Sequence, residues 1–327
     1  IYASIASLLP IWVLLQPRAY INAVQLFVGL GLVYGTIFIA GPTIVAPAIN
    51  LNVPIDAPPL LPLLFVTIAC GAISGFHGLV GSGTTSKQLD RETDARFVGY
   101  LGSTGEGALA LAAIIATTAG FASFEEWRAV YTNFEGGGLT AFIQGGATIV
   151  SDGSGLTHNT AATLLTVMAV LFAGTTMDTA VRLQRYVVQE WGTIYRIPVL
   201  RNSYFATFVA VGACLALAFG AGGRDLTGGM VLWPIFGTTN QLLASITLLV
   251  ISVVLVRLGR PARYTLIPMV FVSTVALLSA LYQLLELYRT SQYLLMLIDA
   301  AIVISAVFVM LEAFSAFTKR SKPASVA

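Results

Sequence analysis

Nine predominantly apolar stretches divide this chain, near residues 1–15, 22–48, 60–83, 99–119, 161–181, 204–221, 229–256, 264–285 and 293–317. A helix needs about 20 apolar residues to cross a bilayer, and eight of the nine stretches approach or exceed that length. Each is apolar all round rather than alternating, which excludes the strands of a membrane barrel. The expected fold class is therefore all-α: a polytopic transmembrane helical bundle of about nine spans. Only 10% of the residues are charged, against about 25% in ordinary soluble domains.

The basic residues sort by side. Arg18 follows the first stretch. Lys87, Arg91 and Arg96 follow the third, and Arg182, Arg185, Arg196 and Arg201 the fifth. Arg257, Arg260 and Arg263 follow the seventh, and Lys319, Arg320 and Lys322 the ninth. The even-numbered connections hold only Arg128, Arg224 and Arg289, a division of 14 against 3. Cytoplasmic loops carry the excess of Lys and Arg, so the C-terminus is expected in the cytoplasm and the start outside. Because the chain starts with Ile1 inside a short apolar stretch, the same reading expects further spans upstream. The net charge of +2 follows topology and forms no patch for nucleic acid.

One membrane domain, 1–317, and a short polar tail, 318–327, make up the expected organisation. The longest connection, about 120–160, is expected outside and contains Gly136-Gly137-Gly138 followed by a semi-apolar piece, Leu139 to Val150. That piece is too short to cross and is expected to be re-entrant or interfacial. If it crossed, every later connection would change sides and the basic asymmetry would collapse.

Two stretches contain helix-breaking chemistry. The third ends in Ser74-Gly-Phe-His77-Gly-Leu-Val-Gly-Ser82-Gly83-Thr84-Thr85-Ser-Lys87, with five glycines from Gly71 to Gly83. Glycine weakens a helix by about 1 kcal/mol relative to Ala, and irregular backbone survives in a membrane only against protein or a wet cavity. Either a broken helix offers its backbone and hydroxyls to a solute, or the glycines serve close packing before an exit loop. A phosphate-loop reading fails, because Ser86 stands where the nucleotide motif needs Gly before Lys. The seventh stretch holds Trp233-Pro234-Ile-Phe-Gly237-Thr238-Thr-Asn240-Gln241, which predicts a second interruption at Pro234. Its two amides either join helices or ligate a solute.

Ionisable residues inside spans are candidates for function. Glu106, among small residues a third of the way into the fourth stretch, is the first choice for a coupling proton. Asp178 is the second, with an i,i+4 pair to Arg182 as the alternative account. His77 is the third, as imidazole is the side chain suited to relaying protons at physiological pH. Asp299 and Glu312 in the last stretch are expected to be structural. Cys70 and Cys214 read as packed free thiols. No His or Cys cluster has metal spacing, and no cofactor or metal is expected.

Four segments resemble the carbon starvation protein A (CstA) family of bacterial inner-membrane transporters. They are Trp12 to Tyr20 with its Pro17-Arg18; Ser74 to Gln88; Phe172-Ala-Gly-Thr-Thr-Met-Asp178-Thr-Ala-Val-Arg182; and Leu232 to Leu243. The resemblance implies secondary active uptake of pyruvate or small peptides, driven by protons or by sodium, in the carbon-starvation response. It also implies an inner-membrane location and a distant likeness to inverted-repeat, broken-helix transporters. Ser74, His77, Ser82, Gly83, Thr84, Thr85, Trp233, Pro234, Thr238, Asn240 and Gln241 are then the residues expected to line the solute path. A carboxylate solute would be held by helix N-termini, hydroxyls and amides, because few basic side chains remain for the membrane interior. A nutrient sensor and an intramembrane serine hydrolase built on Ser82, His77 and Asp178 are the competing classes. The second lacks a nucleophile elbow or a zinc helix.

Overall fold

The computed structural model describes residues 1–50, 57–131, 138–222 and 228–318. The expected tail from 319 onward, Arg224, and Gly136-Gly137 fall outside them. Every regular element among the described residues is helical. Eight segments are long and apolar enough to span: Ile11–Ala40, Leu60–Lys87, Asp94–Ala119, His158–Ile194, Ser203–Gly220, Leu232–Arg257, Arg263–Arg289 and Tyr293–Leu311. Large apolar side chains such as Phe27, Ile68 and Phe308 lie 65%, 65% and 66% exposed on their surfaces. In water that would be costly; against hydrocarbon it is the natural partition. The chain is an all-α, multi-pass membrane protein.

Two compact units divide it, residues 1–57 with 89–211 and residues 58–88 with 212–327. The first unit opens on a seven-residue helix, α1 (Tyr2–Leu8), followed after Pro10 by α2 (Ile11–Ala40). Here the expected first span and its Arg18 exit do not occur. Pro17 and Arg18 lie inside α2, so the first two apolar stretches contribute one span. The helix runs on past Pro17, which stands in its second turn and forgoes the bond to the Val13 carbonyl. Among the described residues eight candidate spans stand in place of the nine expected, and the expected outside start loses its basis.

The remaining helices of this unit are α5 (Asp94–Ala119), α6 (Phe124–Val130), α7 (Leu139–Ser154), α8 (His158–Ile194), α9 (Pro198–Arg201) and the first half of α10 (Ser203–Gly222). Its core gathers around α7, with Val33, Ala112, Ala147, Val150, Ala161, Leu165 and Met168 in one buried cluster. Backbones touch where α5 ends: a Cβ on Gly145 would fall 2.0 Å from the Ala116 carbonyl oxygen, and one on Gly120 would fall 2.2 Å from the Gly145 oxygen. Only glycine permits that approach. Gly146 meets Leu165 and Gly153 meets Thr36. Below α5's end, Trp127 donates to the Thr117 carbonyl at 3.1 Å and stacks with Phe124 and Tyr131, the composition of a membrane-interface belt.

The second unit contains a π-helical turn (Leu60–Leu64), α3 (Phe65–Ala72), α4 (Gly75–Gly83), a short 3-10 turn (Thr85–Lys87), α11 (Gly228–Arg257), α12 (Arg263–Arg289) and α13 (Tyr293–Thr318). The helix over the third stretch is broken, as its glycines predict. Ile73 (φ −133°, ψ 99°) and Ser74 (φ −108°, ψ 123°) are extended. The second interruption expected at Pro234 is absent, since α11 runs through it. α11 packs against α3, α4, α12 and α13, and that support keeps it helical where Pro234 removes a hydrogen bond.

Candidate functional site

The break between α3 and α4 frees backbone groups that no helix can satisfy. α11 supplies their partners. Gln241 Nε2 donates to the Ile73 carbonyl at 2.8 Å, and the Phe76 amide donates to Asn240 Oδ1 at 2.8 Å. Asn240 also bonds Ser74 Oγ, and its Nδ2 reaches Cys70 Sγ at 3.0 Å. Ser74 caps α4, its Oγ accepting from the His77 amide at 3.4 Å. Asn240 and Gln241 are 3% and 1% exposed. Two amides buried in a membrane bundle are costly unless bonded, and here the break is what bonds them. One acceptor remains, as Gln241 Oε1 is buried with no hydrogen-bond partner.

Close approach makes this possible. A Cβ on Gly75 would lie 2.4 Å from both the Ala244 nitrogen and the Asn240 oxygen, and one on Gly78 would lie 2.7 Å from Thr247. The glycines of the third stretch thus serve a packing surface and a break at once.

Of the expected site residues, Ser74, Asn240 and Gln241 meet at the break. His77 begins α4 beside them with an exposed side chain. The others do not join. Ser82 turns its hydroxyl onto its own helix, donating to the Gly78 and Leu79 carbonyls. Gly83 ends α4, Thr84 caps it with a buried and unbonded Oγ1, and Thr85 opens the 3-10 turn. Trp233 is half-exposed and packs on Phe236, two turns from Asn240, with Pro234 beside it. Thr238 is fully buried on another face, bonded to Ser279 of α12 at 3.2 Å.

The acidic candidates separate as well. Glu106 is exposed on α5, not enclosed as a proton carrier would need. Asp178 is buried, but its ion partner is Arg18 at 2.8 Å, 160 positions away, rather than Arg182. Tyr2 joins that pair, donating to Asp178 Oδ2 at 3.1 Å and accepting from Arg18 at 2.6 Å. Arg182 instead donates to the Ala6 and Leu9 carbonyls at 2.6 and 2.7 Å, the electronegative end of α1. The sequence reading treated Arg18 as a loop residue and Cys70 as packing alone. Neither residue carries a local signal for the partner it meets.

The family model described as carbon starvation protein CstA matches residues 1–127 and 124–279. The chain is 33% identical over 311 residues to the peptide transporter CstA of Helicobacter pylori, covering 79% of this chain and 45% of that protein. It is 31% identical to the peptide transporter CstA of Escherichia coli, over 82% of this chain and 46% of that one. It is 29% identical to the pyruvate/proton symporter BtsT of Escherichia coli, over 79% and 46%. The chain spans a little under half the length of these relatives. No solved structure gives a significant match.

Proposed function

The chain belongs to the carbon starvation protein CstA family, and from that premise we propose that it serves secondary active uptake of pyruvate or short peptides, coupled to protons, across the bacterial inner membrane. Its role would lie in the response to carbon starvation, with the C-terminal end in the cytoplasm. The observation that carries the reading is the α3–α4 break, closed by Asn240 and Gln241 from α11. A broken helix inside a bundle presents main-chain donors at its N-terminus, where an anionic group is favoured. The Phe76 amide is such a donor, and Asn240 Oδ1 holds it in this state. A solute carboxylate would take the place of that oxygen, and Gln241 Oε1 would accept from a donor on the solute. The exposed Glu106 does not support a proton-carrying role for it, and Asp178, held by Arg18 and Tyr2, reads as architectural.

The test is uptake of labelled pyruvate and of a labelled dipeptide by the full-length protein in proteoliposomes, with and without a proton gradient. Gradient-dependent accumulation of one of them is expected. Asn240→Ala is expected to lower it at least about tenfold, as loss of a bonded buried group at a solute site does. Full uptake by that variant would remove the break from the solute path.

α7 supports an interfacial reading of the long connection. Its 16 residues reach about 24 Å, short of the roughly 30 Å hydrocarbon core. Its contacts fall near the end of α5 (Ala116), the end of α2 (Thr36) and the start of α8 (Leu165). It would then enter and leave on one face. Single cysteines at Leu139 and Leu156 are expected to react with an impermeant maleimide from the same, periplasmic, side. Labelling from opposite sides would make α7 a span.

A further inference from the structure

Asp299 is the most isolated charged group among the described residues. It lies in the second turn of a membrane-spanning helix, 0% exposed, and neither carboxylate oxygen has a hydrogen-bond partner. Register identifies what faces it. Leu287 of α12 and Leu295 of α13 share one buried cluster with Ile235 of α11; Ala276 and Ala306 share another with Leu242. The two helices are therefore antiparallel, with Leu287 opposite Leu295 and Ala276 opposite Ala306. One turn inward from the first pair, Gln283 comes opposite Asp299. Gln283 is 4% exposed, and its Oε1 is also unbonded. On α11 the same level holds Thr238, bonded to Ser279 and, like it, fully buried. A polar layer thus lies between two apolar clusters, and three of its acceptor oxygens lack a donor.

Among the described residues no opposite charge pairs with it. α11 has no titratable side chain short of Arg257, exposed at its far end. α12 offers Tyr282, half-buried, and Glu286, Tyr288 and Arg289, all exposed, with Glu286 and Arg289 paired at 3.9 Å. Arg263 and Tyr264 lie exposed at its opposite end. α13 itself adds exposed Tyr293 and, more than three turns on, Glu312. A bare carboxylate here would cost several kcal/mol. One proton on Asp299 removes the charge, turns one of its oxygens into a donor and gives Gln283 Oε1 a partner, leaving a single carbonyl oxygen of Asp299 unbonded.

We propose that Asp299, faced by Gln283, is the site that binds the coupling proton, and that this structure is the loaded and occluded state. The inference rests on the proton-coupled reading above and adds the residue that carries the proton. Asp299 takes one proton from the side open to water, and the layer shuts over it. When the α12–α13 seam opens to the other side, the carboxyl is hydrated, the proton leaves, and the anion remains until the next cycle.

Full-length protein in proteoliposomes tests this with three readouts: gradient-driven uptake, substrate counterflow at equal pH, and the infrared band of a buried protonated carboxyl. Asp299→Asn is expected to lower gradient-driven uptake at least about tenfold, in the range of ordinary coupling energies, to keep counterflow, and to lose the band. Gln283→Met is expected to keep the band at a shifted frequency, because its hydrogen bond is gone. Normal driven uptake or a surviving band in Asp299→Asn overturns the proposal, and so does an unshifted band in Gln283→Met. Uncoupling by Glu106→Gln with Asp299→Asn intact overturns it in favour of the exposed carboxyl. Uptake driven by a sodium gradient alone, with no carboxyl band, overturns it in favour of a metal cation. A wild type that shows the band but neither uptake nor counterflow sinks the transport reading and leaves the protonated carboxyl standing.

Discussion

Arg18→Ala is expected to destabilise the first unit by about 3 kcal/mol, at the lower end of what breaking a buried ion pair costs. The asymmetry of the pair sets the size. Asp178's side chain is 4% exposed and Arg18's is 19%, so removing the guanidinium strands a carboxylate that water cannot reach. Tyr2 would still donate to it, but a phenol does not neutralise charge. Removing both charges, as Arg18→Met with Asp178→Asn, is expected to cost less than Arg18→Ala alone, because no bare charge remains. The measurement is thermal unfolding in detergent micelles over the double-mutant cycle. A double variant at least as unstable as the sum of the singles would mean that the pair is not what holds the helices.

Gly75→Ala is expected to be nearly as damaging by a different route. The added carbon would fall 2.4 Å from main-chain atoms of α11, and main chain cannot rotate aside as a side chain can. α4 must move out, and the bonds from Asn240 and Gln241 to the break lengthen with it. Overpacking costs about 1–3 kcal/mol where side chains yield, and the upper end or more is expected here. Gly71→Ala is the control. Only a turn away on α3, it has open space around it, and alanine there improves helix propensity. A lowered melting temperature for Gly75→Ala beside an unchanged or raised one for Gly71→Ala is the expected result. Equal effects would show that chain stiffness, not α4–α11 contact, decides.

The membrane fold was legible because apolar length is a local quantity. Seven spans lie where the apolar stretches place them, and the broken one is broken where glycines crowd. The errors are at Pro17-Arg18, read as the exit from a first span, and at Pro234, read as an interruption; both lie inside continuous helices. Proline's cost depends on where it falls in a helix and on what braces that helix, and neither is written beside it in the sequence. The break was legible as chemistry but not as a contact. Nothing local to Ser74 or Asn240 says that an amide 166 positions away closes the gap. Asp299 shows the same limit from the other side. Its charge was visible in the last stretch, but its isolation comes from Gln283, Thr238 and Ser279 on two other helices. Glu106 looked better by sequence because its neighbours are small, yet small neighbours permit packing without supplying it.

The grip of α8 on the chain's first 18 residues has a mechanical consequence. Asp178 and Arg182 lie one turn apart. One holds Arg18 inside α2 and the other holds the last carbonyls of α1, so they grasp the polypeptide on either side of Pro10. Such a two-point clamp removes the bend's freedom to swing. α1 cannot fold away while α2 stays docked, and any tilt between α2 and α8 must carry the whole N-terminal elbow with it. This corner is built as a strut, and the motion that the proposed transport requires must be sought in places without such a double tie.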